Sequence, residues 1–406
     1  MIIKNIFYKI NLILFIVLET LLIIGGRVNV QSEIGFYLNT KSIIIFIIPL
    51  ITFILFFLDN KGLIKIINNY KFLLIWIIYI FISNILIIIF NPFQINNYIS
   101  VLLFSLNWII ISLCFYLGVY YGKYFARLFN YVFVLVLFSL LIYFPIEFFL
   151  LKSGTYYGSL PLENGAINSG MMCSIWLIFG VLFFRSKPVP KKDNILLFLV
   201  SLIFSIFIIY LLITLSRTAI LALILTSLSI FIYYIFRNFT NKSFFLKNHF
   251  YKIFLGIITI LFIFYFFYNF IFYRFEDILQ HILYRFDKVK LLFFFSNNFF
   301  TILFGNGMDS ANFLIYKELR AVLTTDNYFA KLLFEYGICG FIIFSYLIYK
   351  FYKLFVGSIY FNIFLTLTVF MIIASFGSDV FELTAIGSLY FYLLGFLLGK
   401  QTNNSI

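Results

Sequence analysis

The chain has 406 residues, 64% hydrophobic and only 11% charged, with a formal net charge of +14. Apolar runs of 18 or more residues recur along it, which excludes a water-soluble globular domain, since each is long enough to cross about 30 Å of hydrocarbon. Lipid cannot hydrogen-bond bare backbone, so the runs are expected to be helices packed as one all-α integral membrane bundle over 1–406.

Taken in chain order, the runs predict twelve spans near 5–24, 41–58, 71–90, 98–121, 127–150, 167–185, 194–214, 217–236, 250–272, 327–349, 358–377 and 380–399. The first run, from Ile6 to Ile24, is span-length and lacks a small-residue exit, so it reads as a span and not as a cleaved signal. The long stretch 194–236 divides at a tight hairpin, Leu215-Ser216-Arg217-Thr218. One large loop, 273–325, separates the ninth and tenth spans; the other loops are short, and there is no internal repeat or Pro/Ser-rich linker.

Lys and Arg gather in cytoplasmic loops, so charge orients this map. With both ends inside, the cytoplasmic segments hold 18 basic residues, opposed only by Asp59 and Asp193, whereas the outer segments hold ten basic and ten acidic residues. The net charge is thereby a matter of topology, and no nucleic-acid partner is needed to explain it. Lys331, Glu19, Glu147 and Glu335 remain within spans. Cys114, Cys173 and Cys339 lie in apolar runs without CxxC spacing, and His249 and His281 fall in different segments. Neither a cofactor nor a protein-built metal site is expected.

Arg217 stands at the outer end of two apolar spans. It is either an anchor snorkelling to the interface or a planar fork for diphosphate oxygens. In the large loop, Phe275, Ile278, Leu279, Ile282, Leu283, Phe286 and Val289 follow helical spacing, which predicts an amphipathic interfacial helix. Arg274, His281 and Arg285 would project from one side of it, as a ligand-facing row or a solvated charge run. Phe304-Gly305-Asn306-Gly307 is a turn signal, too short to claim phosphate binding. Thr325 or Asp326 is placed to cap the tenth span, and Asp326 could instead serve as a base at its mouth. Within that span Lys331 and Glu335, one turn apart, are expected to pair, and Gly337-Ile338-Cys339-Gly340 offers a small face for close helix approach.

Three pieces resemble the O-antigen polymerase (Wzy) and O-antigen ligase superfamily: Leu215-Ser216-Arg217-Thr218-Ala219; Arg285 followed by Phe304-Gly305-Asn306-Gly307; and Thr325-Asp326-Asn327-Tyr328 through Gly340. The resemblance covers roughly 200–350. It implies a GT-C-type fold in the bacterial inner membrane, with Arg217 and Arg285, and with them Arg274 and Arg320, at the diphosphate of an undecaprenyl-diphosphate-linked oligosaccharide. His281, Asn327 and Tyr328 would lie on the same substrate, and Asp326 would deprotonate or orient the attacking hydroxyl, with Glu147, Asp379 and Glu382 near the outer face as rival bases. Ligases of the superfamily carry His where this chain has Asp326, which favours a polymerase of lipid-linked repeat units acting on the periplasmic or exterior side, beside a flippase and a chain-length regulator of the same pathway. A ligase and a lipid-linked oligosaccharide flippase are the alternatives; a flippase should show repeats and a mid-membrane charged path, which the sequence lacks.

Overall fold

The computed structural model describes residues 2–24, 30–31, 37–38, 40–90, 98–125, 171, 174–180, 182–183, 217–238, 286–294, 298–308, 310–319, 327–382 and 384–403. These are overwhelmingly helical. The elements are α1 (Ile2–Ile24), β1 (Val30–Gln31), β2 (Tyr37–Leu38), α2 (Thr40–Leu58), α3 (Asn60–Asn69), α4 (Phe72–Phe90), α5 (Tyr98–Tyr124), α6 (Arg217–Asn238), α7 (Phe299–Phe304), α8 (Ser310–Leu319), α9 (Tyr328–Phe355), α10 (Phe361–Ala374) and α11 (Thr384–Asn403). β1 and β2 form a minimal antiparallel pair, Val30 opposite Leu38 and Gln31 opposite Tyr37.

Among the described residues, Ser105–Tyr124 and Tyr328–Phe355 are long and apolar enough to cross a membrane. A third span results if Phe46–Leu58 and Asn60–Asn69, bent by 116°, are taken together. The surface of α2 carries Phe46, Leu50, Phe53 and Phe57 exposed along one stripe. Water would penalise such a face and acyl chains would not, so the protein is embedded in a membrane. Of the twelve expected spans, those near 127–150, 194–214 and 250–272 lie outside the described residues, as does about half of 167–185.

Aromatic rings from distant parts of the chain interlock at the centre. Trp76 meets Trp108 edge-on at 5.4 Å and Phe344 at 5.6 Å, and Trp108 lies 6.2 Å from Phe391. These contacts also fix direction. Trp108 and Phe115 of α5 meet Phe344 and Phe351 of α9 in the same order, so the two helices run parallel. Phe72 meets Phe351 while Tyr79 donates to the Tyr336 carbonyl, so α4 runs the opposite way.

α5 and α11 make the closest packing. A Cβ on Gly118 or Gly122 would overlap the backbone of Tyr392 or Phe396, and one on Gly395 or Gly399 that of Phe115 or Val119. Two facing Gly-xxx-Gly steps let the backbones approach, the arrangement that replaces the hydrophobic driving force between helices in lipid. Gly399 lies against the Lys123 backbone, so both helices end at the same end of the bundle.

That end collects lysines. Lys9, Lys61, Lys65, Lys71, Lys123, Lys350, Lys353 and Lys400 all belong to helix ends or turns there, with Asp59 as the acid among them. The charges Lys331, Glu335, Asp379 and Glu382 lie at the other end, where Tyr328 N–H donates to the Ser375 carbonyl at 2.8 Å.

Candidate functional site

The head of α9 is built by a helix break. Gly337 has φ 67° and ψ −172° inside Tyr328–Phe355, backbone that only glycine adopts readily. Such a break strips several carbonyls of their i+4 partners, and in a membrane interior these must be satisfied from elsewhere. The turn Gly305–Met308 supplies the donors: Asn306 N–H reaches the Phe334 carbonyl at 2.8 Å, Gly307 N–H the Glu335 carbonyl at 3.0 Å, and Asn306 Nδ2 the Phe334 carbonyl again at 3.2 Å. Tyr79 Oη takes the Tyr336 carbonyl. A side chain on Gly305 would collide with Glu335 backbone and one on Gly337 with Leu303 backbone, so both glycines are required by contact as well as by φ.

The same turn is held on α4: Ser83 Oγ donates to the Phe304 carbonyl at 2.8 Å, and Met308 N–H donates to Asn84 Oδ1 at 3.1 Å. Phe304-Gly305-Asn306-Gly307 is therefore a plug that docks backbone to backbone on the broken helix. Of the two glycines expected to form a small face for close helix approach, Gly337 is the break itself, and Gly340 lies against the Tyr79 ring of α4.

The first half of α9 carries the charges. Lys331 Nζ lies 2.7 Å from Glu382 Oε2 and 3.4 Å from Asp379 Oδ2, all of them buried. Asp379 and Glu382 sit in the turn between α10 and α11, and Glu382 N–H donates to the Asp379 carbonyl at 2.9 Å. Tyr336 Oη donates to Glu382 Oε1 at 3.3 Å. Glu335 accepts at Oε1 from Ala311 N–H at 3.3 Å and lies within electrostatic reach of Lys331, in keeping with their i, i+4 spacing; the direct ion-pair contacts of Lys331 come from a turn 48 to 51 residues downstream. Tyr328 Oη is fully buried within electrostatic reach of Glu382, Asp379 and Glu335, and it has no hydrogen-bond partner among the described residues.

An apolar cavity of about 350 Å³ adjoins this network, lined by Leu292, Phe293, Ile302, Ala330, Leu333, Phe334 and Ile338. Ala330 and Phe334 immediately precede Lys331 and Glu335, so one turn of α9 presents charge to one side and hydrocarbon to the other. The helical stretch 286–294, part of the expected amphipathic helix, packs here through Leu292. Its Phe286, assigned to the apolar face, is exposed, while Lys288 is buried.

Of the residues singled out from sequence, Arg274, His281, Arg285, Arg320 and Asp326 lie outside the described residues, and Arg217 is described only as the first helical residue of α6. Asn327 and Tyr328 come together with the charged network. Asn327, not Thr325 or Asp326, caps α9: its backbone is extended and its Oδ1 accepts from Ala330 N–H at 3.1 Å. Sequence reasoning named Asp379 and Glu382 only as rival bases; a lone lysine inside a span requires a counter-ion, and two acids in the last hairpin were its available partners. Among the described residues, no three His, Cys, Asp or Glu side chains are arranged to hold a metal ion. Neither a family model, nor a curated protein, nor a solved structure matches this chain.

Proposed function

We propose that this chain is a bacterial inner-membrane protein of twelve spans with both ends inside, and that it polymerises undecaprenyl-diphosphate-linked oligosaccharide repeat units on the outer face. The observation that carries the reading is the segregation of charge: lysines at one end of the bundle, and at the other a buried Lys331–Asp379–Glu382 network beside an apolar cavity. If the lysine end is cytoplasmic, the network faces outward, at the head of the helix whose sequence resembles the O-antigen polymerase and ligase superfamily. The helix directions support the map: α5 ends at the lysine end and α9 begins at the opposite one, so an odd number of crossings joins them, as five intervening spans would.

In this reading a hydroxyl of the incoming repeat attacks the anomeric carbon of the growing chain. A new glycosidic C–O bond forms, the bond from that carbon to the diphosphate oxygen breaks with inversion, and undecaprenyl diphosphate leaves. Arg217 and Arg285, aided by Arg274, His281 and Arg320, hold the diphosphate and stabilise the charge it gains, which removes the need for a metal. The apolar cavity accepts part of the polyprenyl chain. Asp326 takes the hydroxyl proton; Asn327 supplies the helix cap, so Asp326 is not needed for that. Asp379 and Glu382 are engaged by Lys331 and Tyr336 and shape the floor of the site.

Deletion in the native host tests this reading. Loss of a polymerase leaves single repeats on whatever normally receives polymer, and loss of a flippase leaves none outside. Full-length polymer in the deletion strain would refute the assignment.

A further inference from the structure

We propose that α3 is an interfacial helix whose exposed side, Lys61, Ile64 and Lys65, together with Lys71, binds the headgroups of anionic phospholipids. The chain turns by 116° on leaving α2, so α3 lies closer to the membrane plane than to the span it follows. Asp59 makes the turn: its Oδ1 accepts from Gly62 N–H at 3.0 Å while its own carbonyl accepts from Leu63 N–H at 3.1 Å. Leu63 and Ile66 are buried against the bundle. The opposite side is left with Lys61, Ile64, Lys65 and Asn68, all exposed at i, i+3, i+4 and i+7.

Two features select a lipid headgroup over a dissolved polyanion. Ile64 stands between two lysines, an apolar contact for acyl chain flanked by ammonium groups for phosphate. Exposed tyrosines, Tyr8, Tyr124, Tyr349 and Tyr352, ring the same end of the bundle, where interfacial aromatic belts sit. Lys61, Lys65 and Lys71 form no ion pair among the described residues, and the nearby acid, Asp59, is committed to the cap. The surface is therefore complementary to negative charge, whatever reaction the opposite end performs.

The test uses the full-length protein in nanodiscs of phosphatidylcholine with phosphatidylglycerol, extracted in mild detergent, with the retained phospholipids counted by mass spectrometry. Wild type should retain phosphatidylglycerol in excess of its share at low salt and lose the excess at high salt. Each lysine near an anionic surface is worth about a fivefold preference. Lys61→Gln with Lys65→Gln should thus cut the enrichment about 25-fold, by the same per-lysine preference, whereas the double Arg variant should keep it. Asn68→Lys, which extends the face and removes nothing, should raise it about fivefold. Equal enrichment in wild type, the double Gln variant and Asn68→Lys would overturn the proposal. So would displacement of phosphatidylglycerol by inorganic phosphate at matched concentration, which would make the surface a site for free anions.

Discussion

Lys331 holds together two parts of the molecule that sequence separates, the head of α9 and the turn after α10, and Glu382 of that turn also accepts from the Tyr336 hydroxyl of α9. Deleting one partner of a buried ion pair strands the others uncompensated, typically at about 3–5 kcal/mol. Lys331→Ala should therefore lower the midpoint of thermal unfolding in detergent sharply, and adding Asp379→Asn and Glu382→Gln should recover much of the loss. An unchanged midpoint in Lys331→Ala would show that the pair carries no structural weight. At the proposed diphosphate site, Arg217→Lys keeps the charge but loses the fork, so most activity should go, and Arg217→Ala should remove nearly all of it. Wild-type polymer levels in a well-expressed Arg217→Ala strain would reduce this residue to an anchor. Because Asn327 makes the cap, Asp326→Asn should fold with unchanged stability while its turnover falls; unchanged turnover would remove Asp326 as the base.

The joint between Gly305–Met308 and the break in α9 depends on two glycines for different reasons from Gly357, which also has positive φ but nothing within 4 Å of a built Cβ. Gly357→Ala should cost only the backbone term, about 1–2 kcal/mol, and leave a monodisperse protein. Gly337→Ala adds a collision with Leu303 backbone and should abolish the folded state; equal yields of the two variants on size-exclusion would contradict the joint. Helix positions were largely legible in the sequence. Runs read at 41–58, 71–90 and 98–121 correspond to Thr40–Leu58, Phe72–Phe90 and Tyr98–Tyr124, because apolar length alone marks a span. α3 was read as loop, since ten residues with two lysines give too short a period to stand out. The break at Gly337 falls two residues after Glu335, inside a run read as one continuous span, and the ion-pair contacts of Lys331 with Asp379 and Glu382 lie 48 and 51 residues away; periodicity sees only i+3 and i+4, so it reached Glu335 but neither the break nor the two distant acids.

At the scale of the bundle, the described residues divide by charge, with lysines beside exposed tyrosines at one end and a buried acid–base network at the other. Single cysteines at Asn68 and Asn403 in a cysteine-free background should resist impermeant thiol reagents in intact cells, and one at Ser310 should react; labelling at Asn68 would reverse the orientation and move the network to the inside. The proposed reaction is tested most directly with purified protein in nanodiscs given only undecaprenyl-diphosphate-linked repeat units. A ladder of longer lipid-linked products, with release of undecaprenyl diphosphate and without added metal or nucleotide sugar, is the predicted result. Repeat units that stay monomeric in the presence of folded wild-type protein that binds them would contradict the account.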